Sequence, residues 1–298
     1  MTQVTEIPIA FDCEGYTLYG IAHLPQVSKR SGVLIVVGGP QYRVGSHRQF
    51  LLLARELANH GFPVMRFDYT GMGDAQGDQK TFDNIDADLN AAIEAFYQQQ
   101  PSLKSIVIWG LCDAASAALF YAYQDQRVKG LVLLNPWVYT SQGSAKTYLK
   151  YYYLQRIVSR ELWTKILSGK FNVIESLSSL FLMVKETIQP VANADNGNNG
   201  RLTDQLVSSE LPLPERMKQC WQRFQYPVLC ILSGNDLTAS EFRDVVAADT
   251  EWQQLFKQDR LTRQEFHESD HTFSRAVWRD QVAEWTIDWL DTIERNQS

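Results

Sequence analysis

Apolar residues in this chain gather into short runs separated by stretches of helical periodicity. GVLIVV (32–37), PVMRFD (63–68), SIVIW (105–109), GLVLL (130–134), PVLCILS (227–233) and LTRQEF (261–266) read as strands. Ahead of them, residues 6–11 and 18–23 flank a turn at Gly15 and predict an antiparallel hairpin. Helical spacing covers about 48–60, 82–99, 113–124, 240–259 and 275–294. Such alternation predicts an α/β fold: an eight-stranded, mostly parallel sheet flanked by helices.

The rhythm breaks between Trp137 and Gln225. Helix-like stretches fill this segment, one of them aromatic-rich (TYLKYYYLQRI, 147–157). A polar tract, ANADNGNNGR (192–201), carries too little apolar surface to order itself and reads as a mobile loop. The expected organisation is a core in two parts, 1–136 and 226–298, with a helical lid at 137–225 inserted between strands 6 and 7. A site beneath the insertion would make the lid a cover for substrate; a lid that only stabilises the fold is the alternative.

Composition narrows the partners. The net charge is −6 and no dense basic stripe is present, which argues against nucleic acid. No apolar stretch reaches the roughly 18 residues of a membrane-spanning helix. The opening MTQVTEIPIAFDCEG lacks a basic n-region and an apolar h-region, so no secretory signal is expected. Cysteines 13, 112, 220 and 230 form no C-x-x-C pair, which fits a reducing cytoplasm.

The chemistry centres on IVIWGLCDAASAA (106–118). A β-branched run reaches Gly110, turns at Cys112 and passes at once into an alanine-rich helix. This is the strand–turn–helix setting of a nucleophile elbow, with cysteine in the place of serine. A register shifted by one would make Asp113 the nucleophile, but it would put Leu111 where the bend needs a tiny residue. Cys230 lies in an apolar run and reads as core; Cys13 and Cys220 have no supporting context. The base expected after the last strand is His271, in HESDHTFSR (267–275). The orienting acid expected after the seventh strand is Asp236, in LSGNDLTAS (232–240), where an Asx turn or helix cap is the plainer role. Asp270 is a weaker competitor beside the histidine. The oxyanion hole is expected from the Asp113 amide together with Gly39 or Gln41 in GGPQYRVGSHRQF (38–50), since Pro40 has no N–H. Arg43 and His47 on the same loop are candidates to meet an anionic part of a substrate. The glycines of FDYTGMGDAQGD (67–78) do not form G-x-G-x-x-G and read as a structural loop. No metal or redox cofactor is implied, because metal ligands do not cluster at a recognisable spacing.

With these residues in view, the chain resembles the α/β-hydrolase superfamily over nearly its full length. More narrowly, GGPQYRVGSHRQF, the GLCDAAS elbow, the NPW-plus-tyrosine-rich segment (135–153) and SDHTF resemble the exosortase A system-associated hydrolases, type 1. That resemblance implies a cytoplasmic hydrolase encoded near machinery that makes exopolysaccharide and sorts proteins with a C-terminal anchor. Ala114 departs from the glycine common in the superfamily. The expected activity is cleavage of a small-molecule carboxylic ester or thioester through a Cys112–His271–Asp236 triad. The alternatives are an acyltransferase using the same thiol and a catalytically idle binding or assembly partner.

Overall fold

The computed structural model describes residues 3–139 and 206–297. The tyrosine-rich and Asn/Gly stretches of the expected lid lie outside them. Contacts divide the chain into one unit of Met1–Val138 with Val207–Ser298 and a second of Tyr139–Leu206. All the described strands and helices belong to the first.

β1 (Val4–Cys13) and β2 (Tyr16–Pro25) pair antiparallel, and β2 lies antiparallel on β4 (Val64–Asp68). From there β3 (Ser31–Val36), β5 (Ser105–Leu111), β6 (Val128–Leu134), β7 (Val228–Asn235) and β8 (Leu261–Asp270) continue in parallel. The sheet order is β1-β2-β4-β3-β5-β6-β7-β8. Strands β3, β4 and β5 are buried at every position. Helices cover both faces of the parallel part, so these strands appear as unbroken apolar runs rather than alternating ones.

Successive side chains still point to opposite faces. Leu34, Ile106, Ile108, Leu131, Leu133 and Cys230 pack with α2 (Asp86–Gln99), α3 (Asp113–Ala122) and α4 (Leu213–Arg223). Val33, Ile35, Val107, Trp109, Val132 and Ile231 pack on the other side against α1 (Gln49–Asn59) and α7 (Ala276–Gln297). Glu294 of α7 accepts from the amides of Arg30 (2.8 Å) and Ser31 (3.2 Å), pinning the start of β3 to the last helix.

Two stretches differ from the sequence expectation. The helix expected over 240–259 is two, α5 (Leu237–Ala248) and α6 (Thr250–Leu255). Asp249 is extended between them, and its carboxylate accepts from the amides of Glu251 and Trp252. A side chain that caps a new helix so well ends the old one. Helix α4 falls within the helix-like segment expected as a lid, but it belongs to the same unit as the sheet. Its Met217, Cys220 and Trp221 are buried in the core, with Trp221 against the rings of Trp252 (5.7 Å) and Phe256 (5.4 Å). Among the described residues no helix is long and apolar enough to cross a membrane.

Candidate active site

Three strand ends deliver three side chains to one edge of the sheet. Cys112 follows β5, Asp236 follows β7 and His271 follows β8. All leave the carboxyl ends of parallel strands, the edge at which open α/β sheets bind ligands.

Cys112 sits at φ 63 and ψ −125, and α3 begins at the next residue. A non-glycine residue held there costs about 1–3 kcal/mol and persists only where its surroundings fix it. The Cys112 amide donates to Leu134 O at 2.9 Å, and its carbonyl accepts from Ala115 (3.1 Å) and Trp137 (3.2 Å). The strained conformation falls on Cys112 and not on Asp113. Gly110 shows why the bend needs small neighbours: a Cβ there would meet the Ala114 carbonyl at 2.6 Å and the Ala115 nitrogen at 2.7 Å. Both are backbone atoms that cannot step aside. Gly110→Ala is therefore expected to cost about 1–3 kcal/mol of folding stability, read from the urea midpoint.

The other three cysteines are buried, and burial is the largest cause that pushes their thiols up: Cys13 to about 11, Cys220 and Cys230 to about 12. Such thiols are inert at neutral pH. Cys112 is half-buried and lines a cavity.

Asp236 takes both roles considered for it. It is the N-cap of α5, accepting from Thr238 N at 3.3 Å and Ala239 N at 3.0 Å. Its Oδ1 also lies 3.0 Å from His271 Nδ1. His271 and Cys112 line the same cavity. Burial works against the imidazolium, but hydrogen bonding and charge from Asp236 and Cys112 outweigh it and hold the His271 pKa up at about 10. Asp270 is turned away, accepting from the Ser274 amide at 3.0 Å.

Asn135 is a site residue that sequence reasoning missed. Fully buried at φ 42, it donates from Nδ2 to Ser233 Oγ (2.9 Å) and to the His271 carbonyl (3.1 Å). Its Oδ1 accepts from Ser233 N at 2.8 Å. The side chain thus ties the ends of β6 and β7 to the backbone of the histidine. The Asn-Pro step after an apolar strand was the available signal.

The loop after β3 carries Gln41, Arg43 and His47. The Gln41 amide donates to Gly39 O at 2.8 Å. Its side chain braces the loop, accepting from Ser46 N at 3.0 Å and donating to Gly38 O at 3.1 Å. Arg43 is bound to Asp68 and, at 2.8 Å, to Asp74, which leaves it no free charge for a substrate. His47 is not among the residues lining the cavity. Gly39 is at φ 63, and its amide donates to Asp113 Oδ2 at 2.9 Å.

The cavity measures about 380 Å³ and is lined by Phe50, Phe82, Leu111 and Trp137 beside the polar groups of Cys112, Asp113 and His271. That size and mixed lining suit a small-molecule site. Among the described residues no group of three or more His, Cys, Asp or Glu is arranged to hold a metal ion.

Residues 29–270 match the family model described as serine aminopeptidase, S33. Among solved structures, the chain is similar to the Pyrococcus furiosus esterase Pf2001, at 14% identity and a TM-score of 0.61, over 98% of this chain and 91% of that one. It is similar to a dienelactone hydrolase from Anabaena variabilis, at 12% identity and a TM-score of 0.59, over 97% and 98%. A third is Est1E from Butyrivibrio proteoclasticus with ferulic acid bound, at 15% identity and a TM-score of 0.57, over 95% and 99%. At these identities the likeness is one of fold. No curated protein matches the chain.

Proposed function

The chain belongs to the serine aminopeptidase, S33 family of α/β-hydrolases, and from that premise we propose that it cleaves a carboxylic ester or thioester through an acyl-enzyme on Cys112. The observation that carries this is a strained elbow cysteine sharing one cavity with a histidine whose Nδ1 lies 3.0 Å from an aspartate. With its pKa held near 10, His271 enters the reaction as an imidazolium beside the sulfur.

The Cys112 thiolate attacks the acyl carbonyl, and the developing oxyanion takes the amides of Asp113 and Gly39. His271 then gives its proton to the leaving alkoxide or thiolate as the carbon–heteroatom bond breaks. Neutral His271 next accepts a proton from water, whose oxygen attacks the thioester. Collapse releases a carboxylic acid and restores the free sulfur of Cys112 beside His271.

Esters and thioesters are favoured over peptides because of what lines the cavity. Asp113 is the carboxylate in the described lining, and it is turned onto main-chain amides rather than toward a substrate's ammonium group. Resemblance to exosortase A system-associated hydrolases, type 1, supports a cytoplasmic role beside exopolysaccharide machinery.

A panel of p-nitrophenyl esters, acyl-thioesters and aminoacyl anilides tests this. Esters and thioesters should give free acid at rates about 100-fold or more above the anilides, whose leaving groups are far poorer. Anilides cleaved as fast as esters would contradict the assignment.

A further inference from the structure

The loop after β3 and the first turn of α3 aim two main-chain N–H groups at one point. Gly39 N donates to Asp113 Oδ2 at 2.9 Å, and Ala114 N donates to Oδ1 at 2.9 Å. The Gly39 N–H is one of the two amides from which the proposed reaction builds its oxyanion hole, and the carboxylate that holds it belongs to the residue that supplies the other.

A carboxylate oxygen is a close mimic of a tetrahedral oxyanion in charge and in its appetite for N–H groups. It differs in carrying its charge before any reaction begins. An amide donor held by that carboxylate is not free for a carbonyl oxygen arriving in the cavity. The Gln41 amide likewise has an acceptor, Gly39 O. The loop is also shaped to the carboxylate: a Cβ on Gly38 would come within 2.0 Å of Asp113 Oδ1. Glycine at 38 leaves the carboxylate room to sit.

Resting on the assignment of Cys112 as nucleophile, we propose that the Asp113 side chain is an internal plug of the oxyanion hole. It occupies the Gly39 donor in the resting enzyme and must rotate away about its Cα–Cβ bond before an acyl carbonyl is activated. The main-chain N–H of Asp113 stays in place when the side chain leaves, so one residue supplies one donor and the group that blocks the other. Burial, which raises the pKa of this carboxyl against the pull of the Gly39 and Ala114 amides, lowers the penalty for breaking those bonds. The plug makes acyl transfer conditional on a substrate that fills the cavity well enough to displace it.

The test compares wild type, Asp113→Ala and Asp113→Asn in two reactions of the same thiol. Acylation by p-nitrophenyl acetate develops an oxyanion and is followed by the burst of nitrophenolate. Alkylation by iodoacetamide displaces iodide at a saturated carbon and needs no oxyanion hole. Removing a negative charge changes both through the thiolate, so the ratio of the two rate constants is the readout. Asp113→Ala should raise that ratio about tenfold or more. Asp113→Asn, nearly isosteric and able to keep one acceptor contact, should fall between it and wild type. A ratio unchanged or lowered in both variants overturns the plug, provided nitrophenolate release still depends on Cys112; Asp113 is then a tether that holds the loop to α3. Nitrophenolate released as fast by Cys112→Ala as by wild type removes the nucleophile and the plug together.

Discussion

Cys112→Ala is expected to lower ester turnover by about 10,000-fold or more while leaving the protein folded. The loss is large because thiolate, imidazolium and oxyanion donors act as a unit, and without the sulfur no covalent intermediate forms. The fold should hold because Cys112 is only half-buried, and the backbone bonds of its amide and carbonyl do not involve the sulfur. Substitution of Cys13, Cys220 or Cys230 by serine should leave the rate per folded molecule unchanged, since those thiols lie in the core. Turnover and urea midpoint measured together separate the two kinds of cysteine. Activity surviving in Cys112→Ala would move the nucleophile elsewhere.

The second large effect concerns Asp236, whose two roles can be taken apart by choice of substitution. Asparagine is as good an N-cap as aspartate, whereas alanine loses about 1 kcal/mol of helix stability. Asp236→Asn should therefore keep the stability of α5 and lose the partner of His271, with kcat falling by about 10,000-fold as for triad aspartates elsewhere. Asp236→Ala should lose both. The same pair sets a pH signature. The His271 pKa is raised from 6.5 to about 10, so between those values the folded state holds a proton that the unfolded state has released. Its contribution to stability is complete below pH 6.5 and is lost as pH rises through 10. In Asp236→Asn that window narrows from above, because the largest contribution raising the pKa is gone. The gap in urea midpoint between wild type and Asp236→Asn should shrink on going from pH 6 toward about pH 10. A gap that widens with pH would contradict the ion pair.

How far the sequence carried differs between sheet and site. The eight strands were legible because the central ones are covered on both faces and must be apolar throughout. Helix α4 was not, because LPERMKQCWQR buries Met217, Cys220 and Trp221 from an otherwise polar stretch. Its apolar stripe is too narrow to stand out without the core it meets. Cys112, Asp236 and His271 were legible because each lies at a strand's end, where position alone aims a side chain at the site edge. What escaped were contacts between residues far apart in the chain. Asn135 reaches the backbone of His271, 136 positions away. Asp113 was read for its amide alone, while its carboxylate reaches Gly39, 74 positions back. Arg43 looked free until Asp68 and Asp74 were seen to hold it. A side chain's rotamer and its partner across the fold leave no periodic trace in a sequence.

Acid-quenched protein from the first turnover of p-nitrophenyl acetate, digested with trypsin and weighed, reads the covalent step itself. The peptide 105–127, between Lys104 and Arg127, contains Cys112 and no other cysteine. It should carry one acetyl group, localised to Cys112 by fragmentation and removed by hydroxylamine as a thioester. An acetyl group on another residue, or unmodified peptide while nitrophenolate accumulates, would contradict the cysteine acyl-enzyme.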